Sequence, residues 1–196
     1  MDNEITAVAN ELKQWQSYWE HYRMPTWEEI PNFGLYMEQV IILMKEYLEY
    51  IPSGSKEDQV ITAAAVNNYV RNKVMPEQQK KKYYRIHIAY LIMICSLKQS
   101  LSIAMMQKLI PVNISEEEVQ RIYCAYTRQH AISAKFFLDE VHHLASPILN
   151  DAKSLQAEAN AWDLITNIAL ISGFSKLLAE RILRVDENAS EGTNND

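Results

Sequence analysis

The chain is almost without breakers. Of its 196 residues only 4 are Gly and 6 are Pro, and the prolines (Pro25, Pro31, Pro52, Pro76, Pro111, Pro147) stand between stretches whose apolar residues recur every three or four positions. A β architecture needs a turn signal roughly every 8–12 residues. Breakers this sparse, between segments of helical period, predict an all-α fold. The length is enough to bury a core without disulfides or metals.

Residues 4–22 read as an amphipathic helix with Ile5, Val8, Leu12, Trp15 and Trp19 on one face. Pro25 and Pro31 bracket a connector anchored by Trp27, and a second helix over 35–51 buries Met37, Val40, Ile41, Met44 and Leu48. Pro-Ser-Gly-Ser at 52–55 breaks the chain. Thr62 is an N-cap for a helix to Lys73, with Val66, Tyr69 and Val70 inward and Asn67, Asn68, Arg71, Asn72 and Lys73 outward. Pro76 ends that helix, and residues 77–84 (Glu-Gln-Gln-Lys-Lys-Lys-Tyr-Tyr) form a polar, basic excursion short enough for a hairpin. A helix over 85–99 buries Ile86, Ala89, Leu91, Ile92, Ile94 and Leu97, and Ser102 caps a short one over 103–109, stopped at Pro111.

Ser115-Glu-Glu-Glu118 is a capping box. It opens a helix that the pattern ends at Pro147. Its seam of Val119, Tyr123, Tyr126, His130, Ser133, Phe137, Val141 and Leu144 calls for a cover, from a helix hairpin or a second chain. A last helix over 155–185 runs through Trp162, Ile165, Ile168, Leu177 and Ile182, weakened at Gly173, and the acidic tail 186–196 is expected to be disordered. The expected organisation is an N-terminal helix (1–26), a central region (27–111), a helical C-terminal region of long helices as a bundle or hairpin (112–185) and the tail.

Cys95 and Cys124 lie in apolar helical patterns without CxxC spacing, which predicts reduced, buried thiols. The acidic start MDNEITAVAN is no signal peptide, and the apolar stretch 86–97 holds His87 and is too short for a bilayer. A cytoplasmic protein with no membrane partner is expected. There is no P-loop, GxGxxG, nucleophile elbow or HExxH. Asp139 and His143 share a helix face, but two ligands do not make a metal site. A non-enzyme with no cofactor follows as the expectation.

The formal net charge of −6 argues at first against phosphate binding. Resolved along the chain it reverses. Residues 1–59 carry 4 basic and 11 acidic groups, 60–110 carry 8 and 1, and 111–196 carry 7 and 13. A central block of net +7 thus sits between flanks of −7 and −6, and fields act locally, within about 8–10 Å.

The order of that block (helix, basic excursion, helix, short capped helix) resembles a winged helix-turn-helix of the MerR type. Residues 61–76, Ile-Thr-Ala-Ala-Ala-Val-Asn-Asn-Tyr-Val-Arg-Asn-Lys-Val-Met-Pro, resemble the MerR recognition helix, and Lys82-Tyr-Tyr-Arg85 the end of the wing. Residues 91–109 resemble the next helix and its capped successor. The sequence is closer still to a bacterial family, domain of unknown function 1836, which is described as MerR-like. The match lies in Leu35-Tyr-Met-Glu-Gln39 and in Lys81-Lys82-Tyr83 before the apolar helix. The resemblance covers roughly residues 27–110. Asn67-Asn68-Tyr69 stands where MerR helices carry Arg-Tyr-Tyr, and Lys73 replaces the closing Gly.

The resemblance implies a transcriptional regulator that binds double-stranded DNA as a homodimer. The residues themselves suit that chemistry. Asn67 and Asn68 could each read adenine through N6 and N7. Arg71 and Lys73 would clamp phosphates, Lys80, Lys81, Lys82 and Arg85 would grip the backbone or the minor groove from a wing, and Tyr83 or Tyr84 would add a phosphate hydrogen bond. Thr62, Tyr69 and Asn72 complete the candidate set. About five phosphate contacts predict a slope of log affinity against log salt near −4 to −5. The alternative is an adaptor that presents the basic face to an acidic protein. A small-molecule effector would sit among Tyr123, Tyr126, Phe136, Phe137, Trp162 and Phe174.

Overall fold

The computed structural model describes residues 2–51, 61–150 and 157–191. It is all-α, with seven helices and no strand among the described residues. They are α1 (Asp2–His21), α2 (Met37–Tyr47), α3 (Ala63–Arg71), α4 (Arg85–Leu97), α5 (Ile103–Leu109), α6 (Glu116–Asn150) and α7 (Ala157–Glu191). The expected break at 52–55 lies outside the described residues, as does Leu155, the expected start of α7. The tail expectation is corrected in part: α7 is helical to Glu191, and 192–196 lie outside the described residues.

The three capping signals act as their chemistry requires. Ala65 N–H donates to Thr62 Oγ1 at 3.1 Å, Met105 N–H to Ser102 Oγ at 3.4 Å and Glu118 N–H to Ser115 Oγ at 3.3 Å. Each satisfies one of the amides that a helix start leaves unpaired.

The chain divides into two compact units. One comprises the residues to Arg23 with 128–178; the other comprises Met24–Thr127 and the end of α7 from Ala179. The grouping therefore differs from the expected divisions at 26 and 111: the second boundary falls inside α6.

In the unit 24–127 the core is α4. His87 to Cys95 are nine consecutive buried residues, so this helix is enclosed all round, with His87, Ile88, Tyr90 and Met93 buried beyond the residues the sequence indicates. Ile86 and Leu97 are only half-buried. Val40 and Met44 of α2 with its C-cap Leu48, Val66 and Tyr69 of α3, Met106 of α5, and Val119 and Tyr123 of α6 are buried in this unit with it. Buried tyrosines tie the proline connectors to this core. Tyr123 Oη donates to the Pro25 carbonyl at 2.7 Å, and Tyr90 Oη to that of Pro111 at 2.7 Å. Burial pushes the Cys95 thiol up to about 12, which keeps it protonated and unreactive.

In the other unit α1 packs on the second part of α6 and on α7. Ala9, Ala145, Ile148 and Leu164 form its core, with Leu12, Leu144, Leu149, Ala161 and Ile168 around them. Trp15 meets Phe137 edge-on at 5.7 Å and Trp19 lies 6.0 Å from His130. The chain itself thus covers most of the seam of α6: Val119 and Tyr123 are buried in the 24–127 unit, and His130, Phe137, Val141 and Leu144 lie toward α1 and its core, with Ser133 exposed.

The sequence ends α6 at Pro147, yet the helix continues to Asn150. Proline removes the amide that would bond the carbonyl four residues earlier. Ser146 Oγ donates to that carbonyl, of His143, at 2.9 Å. A neighbouring hydroxyl replaces the lost donor.

Candidate functional site

The basic excursion is a hairpin. Gln79 N–H donates to the Lys82 carbonyl at 3.0 Å and Lys82 N–H to that of Gln79 at 2.9 Å, leaving Lys80-Lys81 as a two-residue loop. Both lie at positive φ, 49° and 63°, as a type I′ turn requires. Lysine is poorly suited to this conformation, which costs an L-residue with a Cβ about 1–2 kcal/mol.

A second bridge follows at once. Leu35 and Tyr83 exchange both backbone hydrogen bonds at 2.8 Å. From this pair the two chains run straight into α2 and α4, and the two helix starts are built alike. Tyr36 N–H donates to Gln39 Oε1 at 2.9 Å, and Tyr84 N–H donates to His87 Nδ1 at 3.0 Å. With Nδ1 accepting, His87 is the Nε2–H tautomer, and that group donates to the Glu77 carbonyl at 2.9 Å. The imidazole is wholly buried, and desolvation lowers its pKa below the usual histidine value. His87 therefore ties the entrance of the hairpin to the start of α4.

Gly34 sits where the chain passes closest. A Cβ there would lie 2.8 Å from Lys82 Cδ, 3.0 Å from Lys82 Cβ and 3.0 Å from the Tyr84 ring. Lys82 Nζ lies 5.2 Å over the Tyr36 ring, and the Arg85 guanidinium lies 5.6 Å from the Trp27 ring while Nε–H donates to the Ile30 carbonyl at 2.8 Å.

Helix α3 ends in a Schellman motif. Lys73 N–H donates to the Val70 carbonyl at 2.9 Å and Val74 N–H to that of Tyr69 at 3.0 Å, with Lys73 at φ 53°. Lysine again occupies a glycine position. On the outer face Asn68 Oδ1 accepts from Arg71 Nη2 at 2.6 Å and from Asn72 Nδ2 at 3.0 Å. Asn72 Nδ2 also donates to the Asn68 carbonyl at 2.8 Å, and Gln107 Nε2 of α5 donates to the Asn72 carbonyl.

The candidate residues now sort by place. Asn67, Arg71, Lys73, Lys80 and Lys81 are exposed; Asn68, Asn72 and Lys82 are half-buried at the surface. The side chains of Lys73, Lys80 and Lys81 form no ion pair or hydrogen bond among the described residues. Thr62 is occupied as the cap of α3, and Arg85 as a strut under the hairpin. Tyr69 and Tyr83, 5% and 2% exposed, belong to the core, because one supplies the inner face of α3 and the other the Leu35 bridge. Sequence reasoning passed over Gly34, Gln39, His87 and Gln107. A tyrosine at the cap position is no recognised start signal, and nothing in a sequence marks a glutamine that braces a distant helix.

The rings named for an effector are divided between the two units. Tyr123 is in the core of its unit, Phe137 packs on Trp15, and Phe136, Trp162 and Phe174 are 72%, 68% and 65% exposed. Among the described residues no three His, Cys, Asp or Glu side chains are placed to hold a metal, and no helix is long and apolar enough to cross a membrane.

The family model of a domain of unknown function (DUF1836) matches residues 25–129, more than half of the chain. These bounds lie within two residues of the compact unit Met24–Thr127. No curated protein and no solved structure matches the chain.

Proposed function

This chain belongs to the DUF1836 family, and we propose that its 24–127 unit binds duplex DNA in the manner of a MerR-like winged helix-turn-helix and regulates transcription. In this reading α3 enters the major groove and the Lys80-Lys81 hairpin is the wing. One observation carries it. Among the described residues, three of the four other than glycine at positive φ (Lys73, Lys80, Lys81 and Asn113) are lysines of the basic block. Glycine at 73 and Asn-Gly at 80–81 would remove the strain. Strain held in this way is a pointer to function, and the function that needs three solvated cations is binding to polyanion phosphate.

The reading extends to two copies on two half-sites. Most of the seam of α6 is covered by the chain itself, so the pairing surface is assigned to α7, where Leu170, Ile171, Phe174, Leu177 and Leu178 are 40–65% exposed.

The test is fluorescence anisotropy with a mixed-sequence duplex across a salt series, comparing the wild type with Lys80→Glu/Lys81→Glu. Salt-dependent binding that the double change abolishes is the expected result. Equal affinity in both proteins, or no binding at 50 mM salt, removes the proposal; capture of an acidic protein instead would favour the adaptor reading.

A further inference from the structure

We infer that Asn68 is a positioning residue, not a reader of bases, and that sequence reading falls to Asn67 and Arg71; this rests on the DNA-binding proposal. Sequence alone makes the two adjacent asparagines equivalent. Geometry separates them. Reading adenine with two hydrogen bonds needs a carboxamide oxygen free to accept and its nitrogen free to donate. A carbonyl oxygen has two lone pairs, and those of Asn68 Oδ1 are taken by Arg71 Nη2 at 2.6 Å and Asn72 Nδ2 at 3.0 Å. As held, Asn68 lacks the acceptor that adenine N6 requires.

The same bonds give Arg71 a fixed direction. A relay runs from Gln107 of α5 to the Asn72 carbonyl, from the Asn72 amide to Asn68, and from Asn68 to the guanidinium. Arginine has five N–H donors, and this relay uses one. The remaining fork is held outward, with less rotamer freedom to lose on binding a base. Guanine O6 and N7 form the major-groove edge that a guanidinium fork fits. Asn67 is exposed and one helical turn before Arg71.

The spacing gives the ligand a shape. Four residues of α-helix advance about 6 Å, and base pairs stack about 3.4 Å apart. The half-site therefore carries an adenine read by Asn67 and a guanine read by Arg71 within about two base-pair steps.

The experiment is selection of bound sequences from a randomised duplex library with the full chain. Anisotropy then follows on the selected site and on the same site with its guanine replaced by adenine or 7-deazaguanine. The wild type is expected to prefer guanine about ten-fold or more. Asn68→Ala should cut that preference to about three-fold or less while leaving the salt slope and the adenine preference in place. A residue that merely held the helix together would lower affinity for every sequence alike. Asn68→Asp keeps the acceptor, so it should retain the guanine preference at lower overall affinity; Arg71→Lys should lose the preference. A selection that retains no DNA removes the DNA reading and this inference with it, whereas DNA retained without enrichment of any sequence overturns this inference alone. Full guanine preference in Asn68→Ala overturns this inference alone, as does loss of it in Asn68→Asp with helicity intact.

Discussion

Replacing Lys80-Lys81 by Asn-Gly should make the protein more stable and a weaker ligand for DNA. Both residues sit at positive φ in a two-residue loop, a conformation that costs an L-residue about 1–2 kcal/mol. Glycine removes the cost at its position but surrenders about 0.5–1 kcal/mol of chain entropy, and asparagine removes part of it at the other. The net gain is about 1–2 kcal/mol, or roughly 2–8 °C in a chain of this size. The substitution also deletes two cations. If both touch phosphates, the slope of log affinity against log salt becomes shallower by about 1.8, and affinity at 0.15 M salt falls on the order of 30-fold. Urea denaturation followed by circular dichroism gives the first quantity, and anisotropy titrations between 50 and 300 mM salt give the second. The two must move in opposite senses. A variant that is no more stable refutes the strain argument; one that is more stable yet binds with an unchanged slope refutes the wing.

Three further outcomes follow from the same geometry. Gly34→Ala places a methyl 2.8–3.0 Å from Lys82 and Tyr84, so it should cost about 1–3 kcal/mol by overpacking and raise amide exchange at Leu35 and Tyr83; unchanged exchange there would contradict the close approach. His87 and His130 have lowered pKa values, both chiefly by desolvation. Their stabilising contribution is therefore complete above the unfolded value near 6.5 and is lost as pH falls below it, by up to about 1.4 kcal/mol per pH unit for each. His87→Gln can keep both hydrogen bonds without titrating, and its urea midpoint should fall less than that of the wild type from pH 7 to 5; parallel curves would remove His87 from the explanation. Phe174→Asp should convert a dimer to a monomer in light scattering, and a wild type already monomeric at 100 μM would dispose of α7 as the pairing surface.

Much of the frame could be read from local chemistry. Thr62, Ser102 and Ser115 declare helix starts because an oxygen there has an amide to accept from, whatever lies beyond. The hairpin of the basic excursion is expected from its short, polar composition; its turn residues and its tie to Leu35 are not. What the sequence hid depends on partners far along the chain or on exceptions to local rules. Ser146 cancels the stop that Pro147 signals, and His87 is buried in α4 because two backbone partners satisfy its ring. Tyr83 resembles a surface tyrosine until its bridge partner buries it, whereas the helix period already turns Tyr69 inward. Asn68 and Asn67 differ only through Arg71, Asn72 and, by way of Asn72, Gln107. Of the candidate surface, the cationic positions were legible and the division of labour among them was not.

The Leu35–Tyr83 bridge has a topological consequence. It clasps the chain across forty-eight positions, from the entry of α2 to the entry of α4, with α3 and the hairpin inside the ring. Ring closure depends only weakly on circumference, so ten more residues between α2 and α3 would cost about 0.2 kcal/mol and a doubling about 0.6 kcal/mol. The clasp is held by Tyr36–Gln39 and Tyr84–His87 at its own ends. A change of length between α2 and α3 is therefore expected to move the urea midpoint little, because the closure cost it alters is only about 0.2–0.6 kcal/mol.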